Sequence, residues 1–203
     1  MLNNDSNRQT WNTHYLRDKS KLYIPDENIV RFIQHYFRRF PEVTNPVILE
    51  IGSGSGRNIA YLRSVTPNVF GMDFAQNSLI GQPGVVCALS DENPFQDQSL
   101  DIVIAWGVLH YLTNEQVDKT LNEVRRILKP SGIFFGTIRS DKDTHLSEVL
   151  KTGDLKNGSA RLYSDMEVMS LFKNFKNTRL GFISRRQPGE KTIVAHHIFE
   201  AAI

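Results

Sequence analysis

Hydrophobic positions along the chain fall into two alternating periods. Residues 1–24 show neither; they are polar, with Trp11, His14, Tyr15 and Tyr23 among them. Behind Asp26, a residue type that caps helices, Ile29, Val30, Ile33, Tyr36, Phe37 and Phe40 recur at helical spacing until Pro41 stops the run. Val47-Ile48-Leu49 is a short β-rich apolar run of the kind carried by parallel strands buried on both faces. It ends in glycines, and residues 57–65 read as a helix. Further strands are predicted at 68–72, 84–88, 99–105 and 133–138, with a short connection or helix over 74–79. Thr113 with Gln116 has the spacing of a capping box ahead of Val117, Leu121, Val124 and Leu128. Ser164 with Glu167 has it ahead of Val168, Leu171, Phe172 and Phe175. Lys129-Pro130-Ser131-Gly132 carries helix-stop and turn chemistry, and Gln187-Pro188-Gly189-Glu190 a turn between strands at 179–184 and 192–199. Strands alternating with helices predict an α/β fold, a mostly parallel sheet closing in a terminal hairpin.

Composition narrows the functional classes. A chain of 203 residues, 40% hydrophobic, suits one domain with a full core. Its 24 Lys and Arg against 22 Asp and Glu leave a formal charge of +2, too balanced to predict a nucleic-acid partner. Cys87 alone supports neither an internal disulfide nor a Cys-rich metal site; lying in an apolar run, it reads as a buried thiol. No apolar stretch approaches the ~18 residues of a membrane span. Residues 1–10 are polar and include Asp5, unlike a signal peptide. The expectation is a cytoplasmic protein without a membrane partner; nothing in the sequence specifies its oligomeric state.

The stretch Glu50-Ile51-Gly52-Ser53-Gly54-Ser55-Gly56-Arg57-Asn58 follows a predicted strand and opens a predicted helix, the context in which glycines turn the backbone sharply beside a ligand. A dinucleotide fingerprint needs its third glycine where Arg57 stands, and the Gly-Lys-Ser/Thr ending of a phosphate-binding loop is absent. Asp73 ends the next strand. At that edge of a parallel sheet a carboxylate can accept hydrogen bonds from vicinal ribose hydroxyls, or it can cap the segment after it.

These residues carry a resemblance. Residues 47–58, Asp73, Pro94-Phe95-Gln96-Asp97-Gln98-Ser99-Leu100-Asp101, Val108-Leu109-His110-Tyr111-Leu112 and Glu123 to Gly132 follow in order the pattern of class I S-adenosylmethionine-dependent methyltransferases. The middle motifs resemble the group that includes quinone-biosynthesis methyltransferases, and Gly56-Arg57-Asn58 resembles enzymes of the tellurite-resistance type. The resemblance implies a Rossmann-like seven-stranded sheet with helices on both faces, its last strand antiparallel. It implies S-adenosyl-L-methionine as cofactor and a small-molecule acceptor as substrate. It places Gly52, Ser53 and Gly54 against the methionine part of the cofactor, Glu50 at its ammonium and Asp73 at its ribose. Phe74, Leu89 and Ser90 would flank the adenine, although the acid common near the last two is displaced here to Asp91. Trp106 would meet the methionine moiety through its carbonyl, and its indole could wall the acceptor site. Residues 1–45 would then be an N-terminal cover and helix, 46–138 the cofactor core, and 139–203 the acceptor side with the hairpin.

A sulfonium methyl is already electrophilic, so the chemistry requires alignment and dryness rather than a metal. The six histidines show no metal-binding spacing. An oxygen acceptor would need a base, and the candidates are His145, in the acceptor-side segment 139–162, and His110 just past the fourth strand; each also has a plain structural reading. Segments 11–24 and 139–162 are expected to form a cover over the methyl group. Two other readings stay open at this point: a methyltransferase-like binding domain without activity, and an NAD-dependent oxidoreductase.

Overall fold

Strand β1 (Ile48–Ile51) is buried along its length and lies between β2 (Val69–Asp73) and β4 (Leu100–Trp106), parallel to both. The structure, a computed structural model, describes residues 4–17, 22–79, 84–88, 90–91, 93–152, 155 and 158–203. With β3 (Val85–Val86), β5 (Leu128–Arg139), β6 (Lys176–Arg185) and β7 (Val194–Ala202), the sheet has seven strands in the order β3-β2-β1-β4-β5-β7-β6. Strand β7 runs antiparallel to both neighbours. Strand order reverses between β1 and β4, so the carboxyl ends of β1, β2 and β4 surround the crevice where open α/β sheets take their ligands.

Helix α2 (Glu27–Arg39) starts where Asp26 accepts a hydrogen bond from the Asn28 N–H, and its buried stripe of Ile29, Phe32, Ile33 and Tyr36 covers one face of the sheet. That face also holds Ile59 and Leu62 of α3 (Arg57–Val65). The opposite core joins Leu49, Val103, Phe134 and Phe199 to Val117, Leu121 and Val124 of α4 (Asn114–Ile127) and Val168 of α6 (Asp165–Leu171). Both capping boxes form as their spacing predicts.

Three segments differ from the periodicity. Residues read as aperiodic form α1 (Asn4–Tyr15) and α5 (His145–Thr152). Lys129 to Gly132 is not a turn ahead of a strand but part of β5: Leu100 pairs with Leu128 and Ile102 with Ile133, so the residues between bulge out of the ladder. Helix α6 stops at Leu171, short of Phe175, which still packs in the core. No described helix is long and apolar enough to cross a membrane.

Candidate functional site

The turn after β1 closes by backbone bonds to β2: the Gly52 and Ser53 N–H groups donate to the Met72 carbonyl at 2.7 and 3.1 Å, and the Gly56 N–H to that of Ser53. Gly52, Gly54 and Gly56 have φ of +66°, +54° and +77°, a conformation side chains resist, which explains why glycine alternates through the loop. The close approach at Gly54 comes from the protein itself. A Cβ there would lie 2.6 Å from the Tyr15 hydroxyl.

Two buried carboxylates flank this loop. Glu50 accepts a hydrogen bond at Oε1 from the Asn58 side-chain amide at 2.7 Å, while Oε2 is buried with no partner. Burial pushes its carboxyl up to about 8, against the stabilising Asn58 bond and the nearby Arg57 charge. Asp73 accepts from the Gly54 N–H at Oδ2 and from the Ala75 N–H at Oδ1, both at 2.9 Å. Burial raises its pKa and these hydrogen bonds lower it. Asp73 therefore caps the segment after β2 and braces the loop at once. Asn58 in turn accepts from the Asp26 N–H, which ties α2 to the same constellation.

Helix α1 lies across the crevice. Asn7 donates to the Tyr111 carbonyl and accepts from the Ser159 N–H, both at 2.9 Å. Asn12 accepts two hydrogen bonds from Asn77, and the Trp11 ring meets Tyr111 edge-on at 5.0 Å. Tyr15 is held deep enough that burial, then the charge of Asp73, drives its pKa far up. Beyond it, the Leu22 backbone exchanges hydrogen bonds with the Ser55 hydroxyl.

On the acceptor side, His110 sits in a one-turn 3₁₀ segment after β4, 1% exposed, with Nδ1 unpartnered. Burial, Arg139 and His196 lower its pKa well below the usual imidazole range. Its ring lies 4.2 Å from that of Tyr111 and 6.2 Å from that of His196. Arg139 links His196 Nε2 at 2.9 Å to Asp143 at 2.7 Å.

The other sequence candidates are spread around this edge. Ser53 turns its hydroxyl under the loop, against Gly71, so only its backbone faces outward. Phe74 is half-buried directly after Asp73. Ser90 lines a separate polar cavity of about 600 Å³ with Asn93, Glu123 and Arg126. Leu89 lies outside the described residues. Trp106 ends β4 with its indole stacked on Phe135 at 5.6 Å, toward the α2 face. His145 opens α5 and bonds Thr192 on the hairpin at 3.0 Å. Asn7 and Asn12 were not singled out in the sequence, and Asn58 only as the end of the Gly56-Arg57-Asn58 motif, without its bond to Glu50. Among the described residues no cluster suits a metal ion.

A family profile described as a methyltransferase domain matches residues 49–136, the stretch that holds Glu50, the glycine loop, Asp73 and His110. Residues 49–136 thus resemble a methyltransferase domain, and the fold is the Rossmann-like one of class I S-adenosylmethionine-dependent methyltransferases. It is 30% identical over 93 residues to the uncharacterized methyltransferase sll0829 of Synechocystis, covering 43% of this chain and 44% of that one. Against phosphoethanolamine N-methyltransferase 1 of Triticum aestivum it is 29% identical over 107 residues, 47% of this chain and 22% of that one. The chain thus spans under half the length of these curated relatives. A Haloferax volcanii structure in complex with the Trm112 methyltransferase activator shares the fold, with TM-score 0.67 and 18% identity over 97% of this chain and 96% of that one. The methyltransferase cofactor fits the residues present. Its ammonium would satisfy the orphaned Glu50 Oε2, a buried acceptor that otherwise carries a desolvation cost.

Proposed function

We propose that the chain transfers the methyl group of S-adenosyl-L-methionine to a small-molecule acceptor in the cytoplasm. The observation that carries this reading is the unpartnered Oε2 of Glu50, buried beside a left-handed glycine loop that Asp73 braces. In this reading Glu50 holds the cofactor's ammonium and the backbone of Gly52, Ser53 and Gly54 lies along its methionine part. Asp73, held at the end of β2 beside the glycine loop, takes the ribose hydroxyls. Phe74 flanks the adenine, and the Trp106 carbonyl faces the methionine group. Residues 1–45 act as cover and first helix, 46–138 as cofactor core, and 139–203 as acceptor side. The half-buried free thiol of Cys87 suits a reducing compartment.

When bound, the cofactor supplies a methyl group already activated by its sulfonium, and the protein's residues do the rest. Helix α1 keeps water from the crevice, because Asn7, Asn12 and Trp11 pin it across the strand ends. Holding the acceptor in line can supply ~7–11 kcal/mol of barrier lowering. His110, kept neutral by burial and Arg139, is the better-placed proton acceptor, and His145 the rival. His110→Gln should cost ~10²–10⁴-fold in turnover with cofactor affinity retained, and His145→Gln far less. Full activity in both variants would mean the acceptor needs no histidine.

The wheat relative named for phosphoethanolamine favours a small acceptor. The test is incubation with methyl-labelled cofactor and a fractionated cell extract. Label in the low-mass fraction supports the reading; label confined to protein or RNA overturns it.

A further inference from the structure

Away from the glycine loop, a groove of about 550 Å³ runs along α2 on the side facing β7 and β6. Its floor is Ile133, Phe135 and Ile198 of the sheet with Phe32 and Tyr36 of α2. Its rim is cationic: Arg31, His35, Arg38 and Arg39 on the helix and Arg179 on β6. The register sets Ile133 beside Ile102, and Ile102 beside Ile48, so the groove opens toward the amino ends of the parallel strands. The cofactor crevice lies at their carboxyl ends.

The one acidic side chain in the groove is already neutralised. Glu200 takes Arg39 at 2.5 Å and Arg179 at 4.0 Å. The side chains of Arg31, His35 and Arg38 are exposed and make no ion pair or hydrogen bond among the described residues. They stand at i, i+4 and i+7, one face of the helix, so the two arginines are about 10.5 Å apart along its axis. For a chain of net charge +2, this is a local excess of cations beside an apolar trough.

We propose that this groove docks an acidic amphipathic helix of a partner protein. Carboxylates seven residues apart on such a helix have the same rise as Arg31 and Arg38, and apolar residues between them meet half-buried Ile198 and the aliphatic stems of the rim arginines. A compact polyphosphate cannot reach both ends of the stripe. Single-stranded nucleic acid needs open aromatic faces for its bases, and here Phe32, Tyr36 and Phe135 are only 7%, 5% and 6% exposed. Phe32 and Phe135 spend their faces on each other, stacked at 4.0 Å.

The test uses the full chain and a 15-residue helical peptide with glutamates seven apart and leucines between them. Nuclear magnetic resonance titration at low salt should shift the amides of α2, Ile133 and Ile198, with affinity falling as salt screens the contact. The charge-reversed double variant Arg31→Glu/Arg38→Glu should lose roughly tenfold or more in affinity. Arg31→Lys/Arg38→Lys should keep most of it, and both variants should keep their melting shift with S-adenosylhomocysteine, which shows the fold intact. The proposal fails if the peptide does not bind, or if binding ignores the charge reversal. It also fails if a lysine-for-glutamate peptide, a 15-nucleotide single-stranded RNA or inorganic triphosphate binds the groove equally well. Self-association of the chain that the reversal abolishes would assign the groove to a second copy instead, and would overturn it too.

Discussion

Glu50 has a raised carboxyl pKa because burial disfavours its charge, and the proposed ligand is a cation that wants that charge. Binding an ammonium therefore requires a proton to leave Glu50, whose folded value is about 8. Affinity for S-adenosylhomocysteine should climb about tenfold per unit from pH 6 to 8 and then level, read by calorimetry; a flat profile would remove Glu50 from the ammonium site. The same group sets a stability slope. Its folded pKa lies above the ordinary 4.5, so the native state holds the extra proton between about 4.5 and 8. Glu50's contribution is complete below 4.5 and lost as pH rises through 8. Glu50→Gln should melt higher than the parent at pH 8, with the gap closing toward pH 5, while losing cofactor affinity. Asp73→Asn keeps an oxygen for one backbone N–H, sets its amide against the other and loses the charge, so we expect ~10–100-fold weaker binding with a stability loss of ~1–3 kcal/mol. Unchanged affinity would leave Asp73 as a cap and loop brace alone. Glu50, the glycines and Asp73 were legible in the sequence because loop, strand end and spacing are local. Asn58 on Glu50 and Tyr15 on Gly54 were not, since their partners meet only after the sheet assembles.

Among the elements, strands and capped helices could be read because burial on one or two faces imposes a period, and Asp26, Thr113 and Ser164 all cap as their positions predict. Helix α1 escapes that logic. Its residues are mostly polar, so its place comes from Asn7, Asn12 and Trp11 reaching distant partners rather than from a buried stripe. The bulge in β5 escaped for a different reason: Pro130 and Gly132 look like a turn, and pairing of Leu128 with Leu100 draws them into the strand. Asn7→Ala would leave the Ser159 N–H and the Tyr111 carbonyl without their partner, at a local cost of ~1–3 kcal/mol. Hydrogen exchange in residues 4–17 should then quicken while the sheet stays protected. S-adenosylhomocysteine should slow exchange in residues 11–17 or 139–152 of the parent chain, as a cover requires. Unchanged exchange in both segments, even with acceptor present, would make them ordinary surface.

At the scale of the whole molecule, the strand order gathers the carboxyl ends of β1, β2 and β4 into one edge, and the glycine loop, Asp73 and His110 all lie there. The basic groove opens the other way, so cofactor binding and partner docking can be measured separately. Acceptor identity was not legible in sequence, because the matched stretch 49–136 ends before α5, the hairpin and the Ser159 contact of α1. The most direct test of methyltransferase chemistry is a titration of the chain with S-adenosylhomocysteine beside a parallel one with NADH. Binding of S-adenosylhomocysteine, with ~2.7 kcal/mol of added stability at a hundredfold excess over its dissociation constant, is the expected result. No heat and no melting shift with it, while NADH gives both, would contradict the assignment of the glycine loop.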